Sequence, residues 1–329
     1  MLLISQSEVP ALLPMHECMT VMADALAMLA RGDAVQPLRH MLRVPDRAGI
    51  LAMMPGYVGS KESLGIKVIT VFQANHGTEF DSHQGVVLLF EAEHGSLVAI
   101  IDASSITAIR TAAVSGVATR LLARSDATDL CIMGSGVQAR THLDAMLLAR
   151  PISRVRVWSR NSENGLAFAR ASAERHNIAV EAIASAREAV SGASIICVTT
   201  SSREPVLCGE WVADGAHINA VGSSVPSARE VDTALVHRAR LFVDRRESTV
   251  NEAGDFLIPK SEGVIGDDHI VGEIGDILIE RCAARGASSE VTLFKSLGLA
   301  IEDVAAAQHV YMRALAAGVG TSIALGGRR

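Results

Sequence analysis

The sequence lacks several features that would place the protein in a membrane, outside the cell or on nucleic acid. No apolar run approaches the ~18 residues of a membrane-spanning helix, although 49% of the 329 residues are apolar. The first residues show no basic segment followed by an apolar stretch and a cleavage site, so no secretory signal is expected. The net charge of −6 is mild and unpatterned, which argues against nucleic acid as the main partner. These absences predict a soluble, cytoplasmic protein.

The cysteines show no pattern typical of disulfides or of metal binding. There are five of them, at Cys18, Cys131, Cys197, Cys208 and Cys282. Cys131 and Cys197 fall inside apolar strand patterns, so we interpret them as small buried residues in a reducing compartment. No pair of cysteines or histidines has the spacing of a zinc site, so no metal is expected.

The most informative segment is 130–139, in which a short apolar run ends in G-x-G-x-x-A and a helical pattern follows. Gly134 would permit a sharp turn, and Gly136 would let the backbone come close to a pyrophosphate. The free N–H groups of the first helical turn, at Val137 and Gln138, would then face the phosphates. The segment predicts a dinucleotide site, and an ordinary strand–helix turn is the alternative.

The next strand pattern bears on the identity of the dinucleotide. Residues 154–158 alternate as a strand and end in Ser159-Arg160-Asn161, with no carboxylate at the strand end. An acidic residue there would accept hydrogen bonds from the 2′-hydroxyl of NAD. A hydroxyl, a guanidinium and an amide would instead donate to a 2′-phosphate. We therefore predict NADP as cofactor, with NADPH preferred over NADH; an exposed loop arginine is the alternative.

The middle of the chain alternates strand and helix patterns. Strands are predicted near 129–133, 154–158, 194–199, 217–221 and 240–244, with helices that include 138–148 and 162–176. This alternation predicts an α/β fold in which helices cover both faces of a doubly wound parallel sheet, a Rossmann domain. Polar loops follow two of the strands, where such a sheet binds its ligands. The candidate cofactor residues in these loops are Thr199, Thr200, Ser201, Val221 and Ser223.

The two ends of the chain have a different pattern. Helical segments at 7–15 and 23–30 precede β-like segments at 41–44, 65–72, 86–91 and 96–102, and then a long helix at 107–123. Residues 301–317 carry another helical pattern with one apolar face. We predict a discontinuous α+β domain of residues 1–118 with 299–329, and a Rossmann domain of residues 119–298.

Three cations of the first domain stand among apolar or small residues. Lys67 lies in G-I-K-V-I, Arg110 lies in I-T-A-I-R-T-A-A, and Arg39 follows a Pro-Leu pair. A lysine between β-branched residues must point to solvent or meet an anion. Arginine binds a carboxylate through two parallel hydrogen bonds, so the set suits a small carboxylate substrate. Exposed faces and structural salt bridges are the alternatives.

Two further polar segments have open interpretations. Ser82 and His83 precede an apolar strand, where they either donate hydrogen bonds in a pocket or cap the strand. Residues 294–298, just before the last helical pattern, are either a ligand-facing turn or the start of the helix.

Together these motifs resemble the ornithine cyclodeaminase/mu-crystallin family. The resemblance runs from Val35 to Gly318, through segments 35–39, 65–68, 106–113, 133–139, 215–222 and 292–298. It implies a central Rossmann domain and a substrate domain that is made from both chain ends and forms a homodimer. It also implies that Arg39, Lys67 and Arg110 hold the substrate carboxylate near the nicotinamide, and it places Thr111 among the cofactor-binding residues.

One position distinguishes the activities of this family. The cyclodeaminases carry an aspartate soon after the N-A-V-G segment, and Ser224 stands at that position here. A serine cannot act as a carboxylate base near neutral pH, and mu-crystallin-like ketimine reductases look similar at this point. We therefore predict an NADPH-dependent reductase of small cyclic ketimine carboxylates, such as 1-pyrroline-2-carboxylate or 1-piperideine-2-carboxylate, which gives proline or pipecolate.

In this prediction Lys67, Arg110 and Ser224 act at the substrate, and Ser224 or a water hydrogen-bonds the ring nitrogen. An ornithine or lysine cyclodeaminase and an alanine-type amino-acid dehydrogenase are the alternative enzymes. A non-catalytic protein that binds a small ligand is the alternative from another class.

Overall fold

The computed structural model describes residues 1–45, 49–59, 62–75 and 78–325. The chain divides into two compact units, Met1–Arg110 with Gly298–Arg329 (unit 1) and Thr111–Leu297 (unit 2). The division falls inside a continuous helix, earlier in it than the change that the sequence predicted after residue 118. Because a helix offers no natural break, the predicted limits 1–118, 119–298 and 299–329 stay a prediction.

The strands and helices of the described residues are numbered in chain order. The strands are β1 (Leu2–Ile4), β2 (Ala34–Val35), β3 (His40–Arg43), β4 (Gly49–Val58), β5 (Ser63–Phe72), β6 (His83–Glu91), β7 (Leu97–Asp102), β8 (Asp129–Met133), β9 (Arg154–Trp158), β10 (Val180–Ala182), β11 (Ile195–Val198), β12 (His217–Ala220), β13 (Arg240–Val243), β14 (Ile270–Glu273), β15 (Thr292–Lys295) and β16 (Thr321–Ser322). The helices are α1 (Val9–Leu12), α2 (Met15–Arg31), α3 (Ala103–Leu122), α4 (Val137–Ala149), α5 (Ser162–His176), α6 (Ala186–Val190), α7 (Thr233–Arg238), α8 (Arg246–Glu252), α9 (Gly254–Ser261), α10 (Ile274–Leu278) and α11 (Ala300–Ala317).

Unit 1 is built on a mixed sheet in the order β16-β1-β7-β6-β5-β4-β2, with β3 also paired to β4. The pairs are antiparallel except that β1 runs parallel to β7. Helix α11 packs across β4 and β5. Glycines allow this close approach, because a Cβ on Gly65 would lie 3.0 Å from the side chain of Val304. The sheet face under α11 therefore carries the inward side chains of β5.

Strand β4 has no counterpart among the predicted strands, because Pro55 and Gly56 interrupt its pattern. The pairing accommodates the proline. Strand β3 pairs with residues 50–53 of β4, and β2 pairs with residues 57 and 58, so Pro55 lies where that edge has no partner strand. Its missing N–H group therefore costs the sheet no hydrogen bond.

Unit 2 is a doubly wound sheet in the order β10-β9-β8-β11-β12-β15-β13-β14, and every neighbouring pair is parallel. The α/β fold class and the Rossmann organisation predicted from the sequence are confirmed. The chain turns from one half of the sheet to the other between β8 and β11, so the carboxyl ends of these strands form the switch point at which such sheets bind ligands.

One prediction was wrong in part. Residues 294–298 were expected to form a ligand-facing turn or the start of a helix, but Phe294 and Lys295 belong to β15, which lies between β12 and β13. Residues 296–298 form the loop that leads into α11. The strand is fully buried. Its four residues T-L-F-K are too short and too polar at one end to stand out as a strand, and their pairing partners are distant in the sequence.

The cysteines are unpaired in the described part of the chain. Cys131 and Cys197 are buried in β8 and β11, and this burial raises the pKa of each thiol to about 12. They therefore act as small core residues, as predicted. Among the helices that the structure describes, none combines the length and apolar character needed to cross a membrane.

Candidate functional site

The turn after β8 has a backbone that requires glycine. Gly134 has a φ of +116°, and a Cβ at this position would lie 2.7 Å from the carbonyl oxygen of Thr199. The Thr199 hydroxyl in turn donates to the carbonyl of Met133 at 3.1 Å. The loops that follow β8 and β11 are thus packed directly against each other at the switch point.

The helix that follows offers unused N–H groups. Gly136 is the N-cap of α4, and no side chain in the described residues caps the helix there. A Cβ on Gly136 would meet no described atom within 4 Å. Gly136 and Val137 are exposed, so the first-turn N–H groups, which include those of Val137 and Gln138, lie at an open, uncapped and positive end of the helix dipole. This arrangement fits the pyrophosphate of a dinucleotide.

The end of β9 contacts the same glycine loop. The hydroxyl groups of Ser159 and Ser135 lie 2.9 Å apart. The side-chain oxygen of Asn161 accepts from the N–H of Asn164 at 3.1 Å and so caps α5. Arg160 is exposed. Of the three residues predicted to meet a 2′-phosphate, Arg160 is the one whose side chain carries a positive charge and projects into solvent.

The loops after β11 and β12 hold the other predicted cofactor residues. Ser201 is exposed, whereas Val221 and Ser224 are half-buried. The hydroxyl of Ser223 points inward, because it donates to the carbonyl of Ala228 at 2.6 Å. The Ser223 hydroxyl is thus used inside the unit, and in this loop the backbone and the half-buried side chains of Val221 and Ser224 are the groups able to contact a ligand. Thr111 is buried in α3.

In unit 1 the predicted cations lie in a buried cluster of charges. Lys67 faces inward from β5, and its Nζ lies 2.7 Å from Oδ2 of Asp303 and 3.4 Å from the hydroxyl of Thr107. Arg110 donates from Nε to Oδ1 of Asp303 at 2.8 Å and from Nη1 to Oε2 of Glu302 at 2.7 Å. Both cations are 3% exposed, and both carboxylates are fully buried. We call Lys67, Arg110, Glu302 and Asp303 the unit 1 charge cluster.

The pKa values follow from this arrangement. Burial lowers the pKa of Lys67 to about 8; the charge of Asp303 opposes this shift, and the charges of Arg110 and Arg39 add to it. Burial would raise the pKa of Asp303, but the charges of Arg110 and Lys67 outweigh burial and hold that pKa below its usual value. Lys67 therefore loses its proton at a lower pH than an ordinary lysine, while Asp303 stays ionised.

Arg39 reaches the same end of α11. Its Nη2 donates to the carbonyl of Gly298 at 3.2 Å. Gly298 has a φ of +80°, and a Cβ there would lie 2.5 Å from Nη1 of Arg110. Glycine at this position therefore lets the backbone lie against the guanidinium. The three cations predicted from the sequence are gathered around the start of α11.

Ser82 and His83 lie away from this cluster. Their side chains lie 3.0 Å apart, and His83 is exposed. Lys67 pairs across the sheet with Val87, four residues further along β6 than His83. At ~3.3 Å per residue this is about 13 Å along the strand. In the structure Ser82 and His83 therefore contact each other, but they do not lie beside Lys67.

The partners of the cations, Glu302 and Asp303, were missed in the sequence. They occupy the first turn of α11, where acidic residues are ordinary because they favour the helix dipole. The usable signal was their surroundings, since L-A-I-E-D-V-A-A-A places two acids inside an otherwise apolar, small-residue helix. The alternative of a structural salt bridge is realised for Lys67 and Arg110, and it holds their charges in fixed positions.

The chain is similar to proteins of one known family. A model of the ornithine cyclodeaminase/mu-crystallin family matches residues 1–318. The ketimine reductase mu-crystallin of Mus musculus is 41% identical over 281 residues, 85% of this chain and 85% of that protein. A Delta(1)-pyrroline-2-carboxylate reductase of Bacillus cereus is 36% identical over 324 residues, 98% of this chain and 99% of that protein.

The similarity extends to a solved structure. The Delta(1)-pyrroline-2-carboxylate reductase of Thermococcus litoralis, in complex with NADH and L-proline, has a TM-score of 0.96 and 39% identity, and the match covers 98% of this chain and 100% of that one. These three relatives are named as reductases, and one of them holds a reduced nicotinamide cofactor, in agreement with the class predicted from the sequence.

Proposed function

Because the chain belongs to the ornithine cyclodeaminase/mu-crystallin family, as its sequence predicted, we propose that it reduces small cyclic ketimine carboxylates with a nicotinamide cofactor. The substrate class is that of 1-pyrroline-2-carboxylate and 1-piperideine-2-carboxylate, and the products are proline and pipecolate. The main observation in support of the proposal is the unit 1 charge cluster, which holds two buried cations in fixed positions where they could bind a carboxylate. The same chain also contains a glycine turn of the dinucleotide-binding type.

Lys67 is the residue best suited to bind the substrate carboxylate. An ammonium group has three N–H donors, and Asp303 and Thr107 take two of them. The third has no acceptor among the residues that the structure describes. A carboxylate bound there would be paired with a buried cation, which favours the ammonium form of Lys67. Arg39 and Arg110 add positive charge at the same helix end.

The reaction needs few further groups from the protein. When bound, the reduced cofactor supplies the hydride that the iminium carbon accepts, and the C=N electron pair moves to nitrogen. A nitrogen that is already protonated by solvent then needs no carboxylate base. Ser224, half-buried after β12, would hydrogen-bond the ring nitrogen directly or through water. Serine in place of aspartate favours reduction over cyclodeamination.

An assay with a panel of substrates tests the proposal. The protein should oxidise NADPH or NADH in the presence of a cyclic ketimine carboxylate and give the cyclic amino acid. Ornithine with the oxidised cofactor should give no proline and no ammonia above background. Ammonia release from ornithine would favour a cyclodeaminase, and consumption of pyruvate with ammonia would favour an amino-acid dehydrogenase. The proposed homodimer is checked by light scattering of the same preparation.

The proposal includes a preference for NADPH, which Arg160 would provide. A charge-assisted hydrogen bond to the 2′-phosphate contributes about 1.5–3 kcal/mol, so Arg160→Ala should reduce the ratio of NADPH to NADH affinity by about tenfold or more. Arg170 is exposed on α5, and Arg170→Ala is the matched control that should leave the ratio unchanged. Equal affinity of the unaltered protein for the two cofactors would contradict the preference without affecting the reductase assignment.

A further inference from the structure

Unit 2 contains a buried acid that contacts two of the proposed cofactor loops. Glu230 is fully buried. Its Oε1 accepts from the backbone N–H of Thr200 and from the Thr200 hydroxyl, both at 2.7 Å. Its Oε2 accepts from the backbone N–H of Gly222 at 2.5 Å. Thr200 follows β11 and Gly222 follows β12, so one carboxylate joins the loops at the ends of two neighbouring strands.

Two further charged side chains complete this arrangement. Oδ1 of Asp255, on α9, accepts from the backbone N–H of Glu230 at 2.7 Å, and its Oδ2 lies 2.8 Å from Nζ of Lys295. Lys295, on β15, donates to the carbonyl of Ser223 at 2.6 Å. All three charged residues are almost completely buried. We call Glu230, Asp255 and Lys295 the loop-holding cluster.

The two loops are also packed tightly against each other. A Cβ on Gly222 would lie 1.9 Å from the carbonyl oxygen of Thr200 and 2.5 Å from Oε1 of Glu230. No side chain fits there, so the loops approach each other as closely as backbone permits. A shift of one loop therefore requires a shift of the other or the loss of a hydrogen bond to Glu230.

The hydrogen bonds specify the ionised form of Glu230. Two of the three groups that contact its oxygens are backbone N–H groups, which can only donate, and the Thr200 hydroxyl donates as well. A carboxyl protonated on Oε2 would place its O–H against the N–H of Gly222 and lose that acceptor site. Burial raises the pKa of Glu230 to about 7, the charge of Lys295 opposes this, and the charge of Asp255 adds to it. An ionised carboxylate in this position is costly unless it is fully hydrogen-bonded.

We propose that Glu230 is a positioning residue for cofactor binding, which holds the loops at 199–201 and 221–224 in their binding conformation and releases them when it takes up a proton. The inference rests on the proposed function, because those loops are proposed to bind the cofactor. Lys295 and Asp255 are the charged groups that act on Glu230, and they approach it from β15 and α9. Cofactor affinity should therefore fall as the pH falls through about 7.

The experiment measures the dissociation constant of NADH by fluorescence titration between about pH 6 and about pH 8. NADH is used because the 2′-phosphate of NADPH would itself titrate near pH 6. For the unaltered protein we expect NADH to bind more weakly at low pH, by up to about tenfold per pH unit below the midpoint. Glu230→Gln should bind NADH at least tenfold more weakly at the upper end of this range, with no pH dependence.

Glu290→Gln is the matched control. Glu290 also accepts from a backbone N–H, that of Gly286 at 2.7 Å, and pairs with Arg240 in unit 2, but it contacts neither loop. This variant should follow the pH profile of the unaltered protein. Glu290→Gln removes a backbone-binding carboxylate of unit 2 away from the two loops, whereas the proposed role changes the NADH profile of Glu230→Gln alone.

A second variant keeps the inference testable if Glu230→Gln does not fold. Thr200→Val removes the hydroxyl that donates to Glu230 and keeps the side-chain size. Loss of one hydrogen bond to the ionised form should move the midpoint of the NADH profile to higher pH. An unchanged midpoint would contradict the inference.

The outcomes separate the inference from the proposed function. If the unaltered protein binds neither NADH nor NADPH at any pH, the proposed function is wrong and the inference falls with it. If the unaltered protein binds NADH with no pH dependence and Glu230→Gln binds it equally well, the inference is overturned and the proposed function stands.

Discussion

Each unit of this protein has a buried charged cluster, and the two clusters are used differently. In the unit 1 charge cluster, carboxylates of α11 bind the side chains of Lys67 and Arg110. In the loop-holding cluster, charged side chains mainly bind backbone groups, such as the N–H of Gly222 and the carbonyl of Ser223. The first arrangement fixes where positive charge lies, and the second fixes where the backbone lies.

The difference follows from what each proposed ligand requires. A small carboxylate is recognised by its charge, so the protein must hold cations away from water and leave some of their N–H donors unused. A dinucleotide is recognised largely by backbone N–H groups and by shape. Charged residues are then most useful when they are buried beneath the ligand-binding loops and hold the loop backbone, rather than when they contact the ligand. Burial of ions costs free energy in both cases, and in both cases the proposed return is a fixed binding geometry.

Among the substitutions that test the difference between the two clusters, replacement of Asp303 should have the largest effect on stability and on KM. Asp303→Asn leaves Lys67 and Arg110 without the carboxylate they share, and breaking a buried pair costs about 3–5 kcal/mol. We expect the free energy of unfolding in urea to fall by about that amount. We also expect KM for the ketimine carboxylate to rise while the dissociation constant of NADH stays unchanged.

The control for Asp303→Asn is an exposed ion pair that also involves α11. Glu17 pairs with Arg313 at 2.8 Å with both side chains partly in solvent, so Glu17→Gln should cost no more than about 1 kcal/mol. Equal losses of unfolding free energy in Asp303→Asn and Glu17→Gln would show that burial does not make an ion pair more important for stability here. A weaker affinity for NADH in Asp303→Asn would show that the two clusters are not independent.

The pH dependence of kcat/KM should show both clusters at once. The ammonium of Lys67 is lost as the pH rises through about 8, and the carboxylate of Glu230 is lost as the pH falls through about 7. Activity should be greatest between these values and fall on each side by up to about tenfold per pH unit. Lys67→Arg should remove the alkaline fall because a guanidinium stays charged, and Glu230→Gln should remove the acid fall. Persistence of both falls in both variants would assign them to the substrate.

A smaller effect separates backbone strain from displacement of Arg110. Gly298 and Gly32 have similar left-handed backbones, with φ of +80° and +86°, but a Cβ on Gly32 meets no described atom within 4 Å. An alanine at either position costs about 1–2 kcal/mol of strain. Gly298→Ala should destabilise further and raise KM, because its Cβ would push Arg110 off its carboxylates. Identical unfolding curves and KM values for the two variants would exclude displacement of the guanidinium.

The parts of the fold that were predictable from the sequence depend on local pattern. Strands β8 and β9 and helix α5 were predicted with the bounds that the structure has, because each is a contiguous apolar or periodic segment. Strands β4 and β15 were missed, since Pro55 interrupts the first and the second is short and ends in a lysine. Their existence depends on neighbouring strands that are far away in the sequence.

The candidate site shows the same limit. The sequence predicted that Lys67 either points to solvent or meets an anion, because a buried lysine in an apolar strand cannot remain unpaired. It did not identify Asp303, which is brought to Arg110 across 193 residues of chain. The acidic pair at the start of α11 matches an ordinary helix start equally well, so only the three-dimensional pairing distinguishes the two.

The position of β15 has a consequence for the order in which unit 2 folds. This strand is the last of the unit in sequence, yet it lies between β12 and β13. While the chain is being synthesised, β12 and β13 therefore expose unpaired edges until residue 295 has emerged, and such edges promote association between chains. The loop-holding cluster also lacks Lys295 until then. A nascent chain that is interrupted before β15 would carry two partial sheets and would tend to aggregate. The sheet that carries the dinucleotide turn is therefore complete only once this short strand has been synthesised.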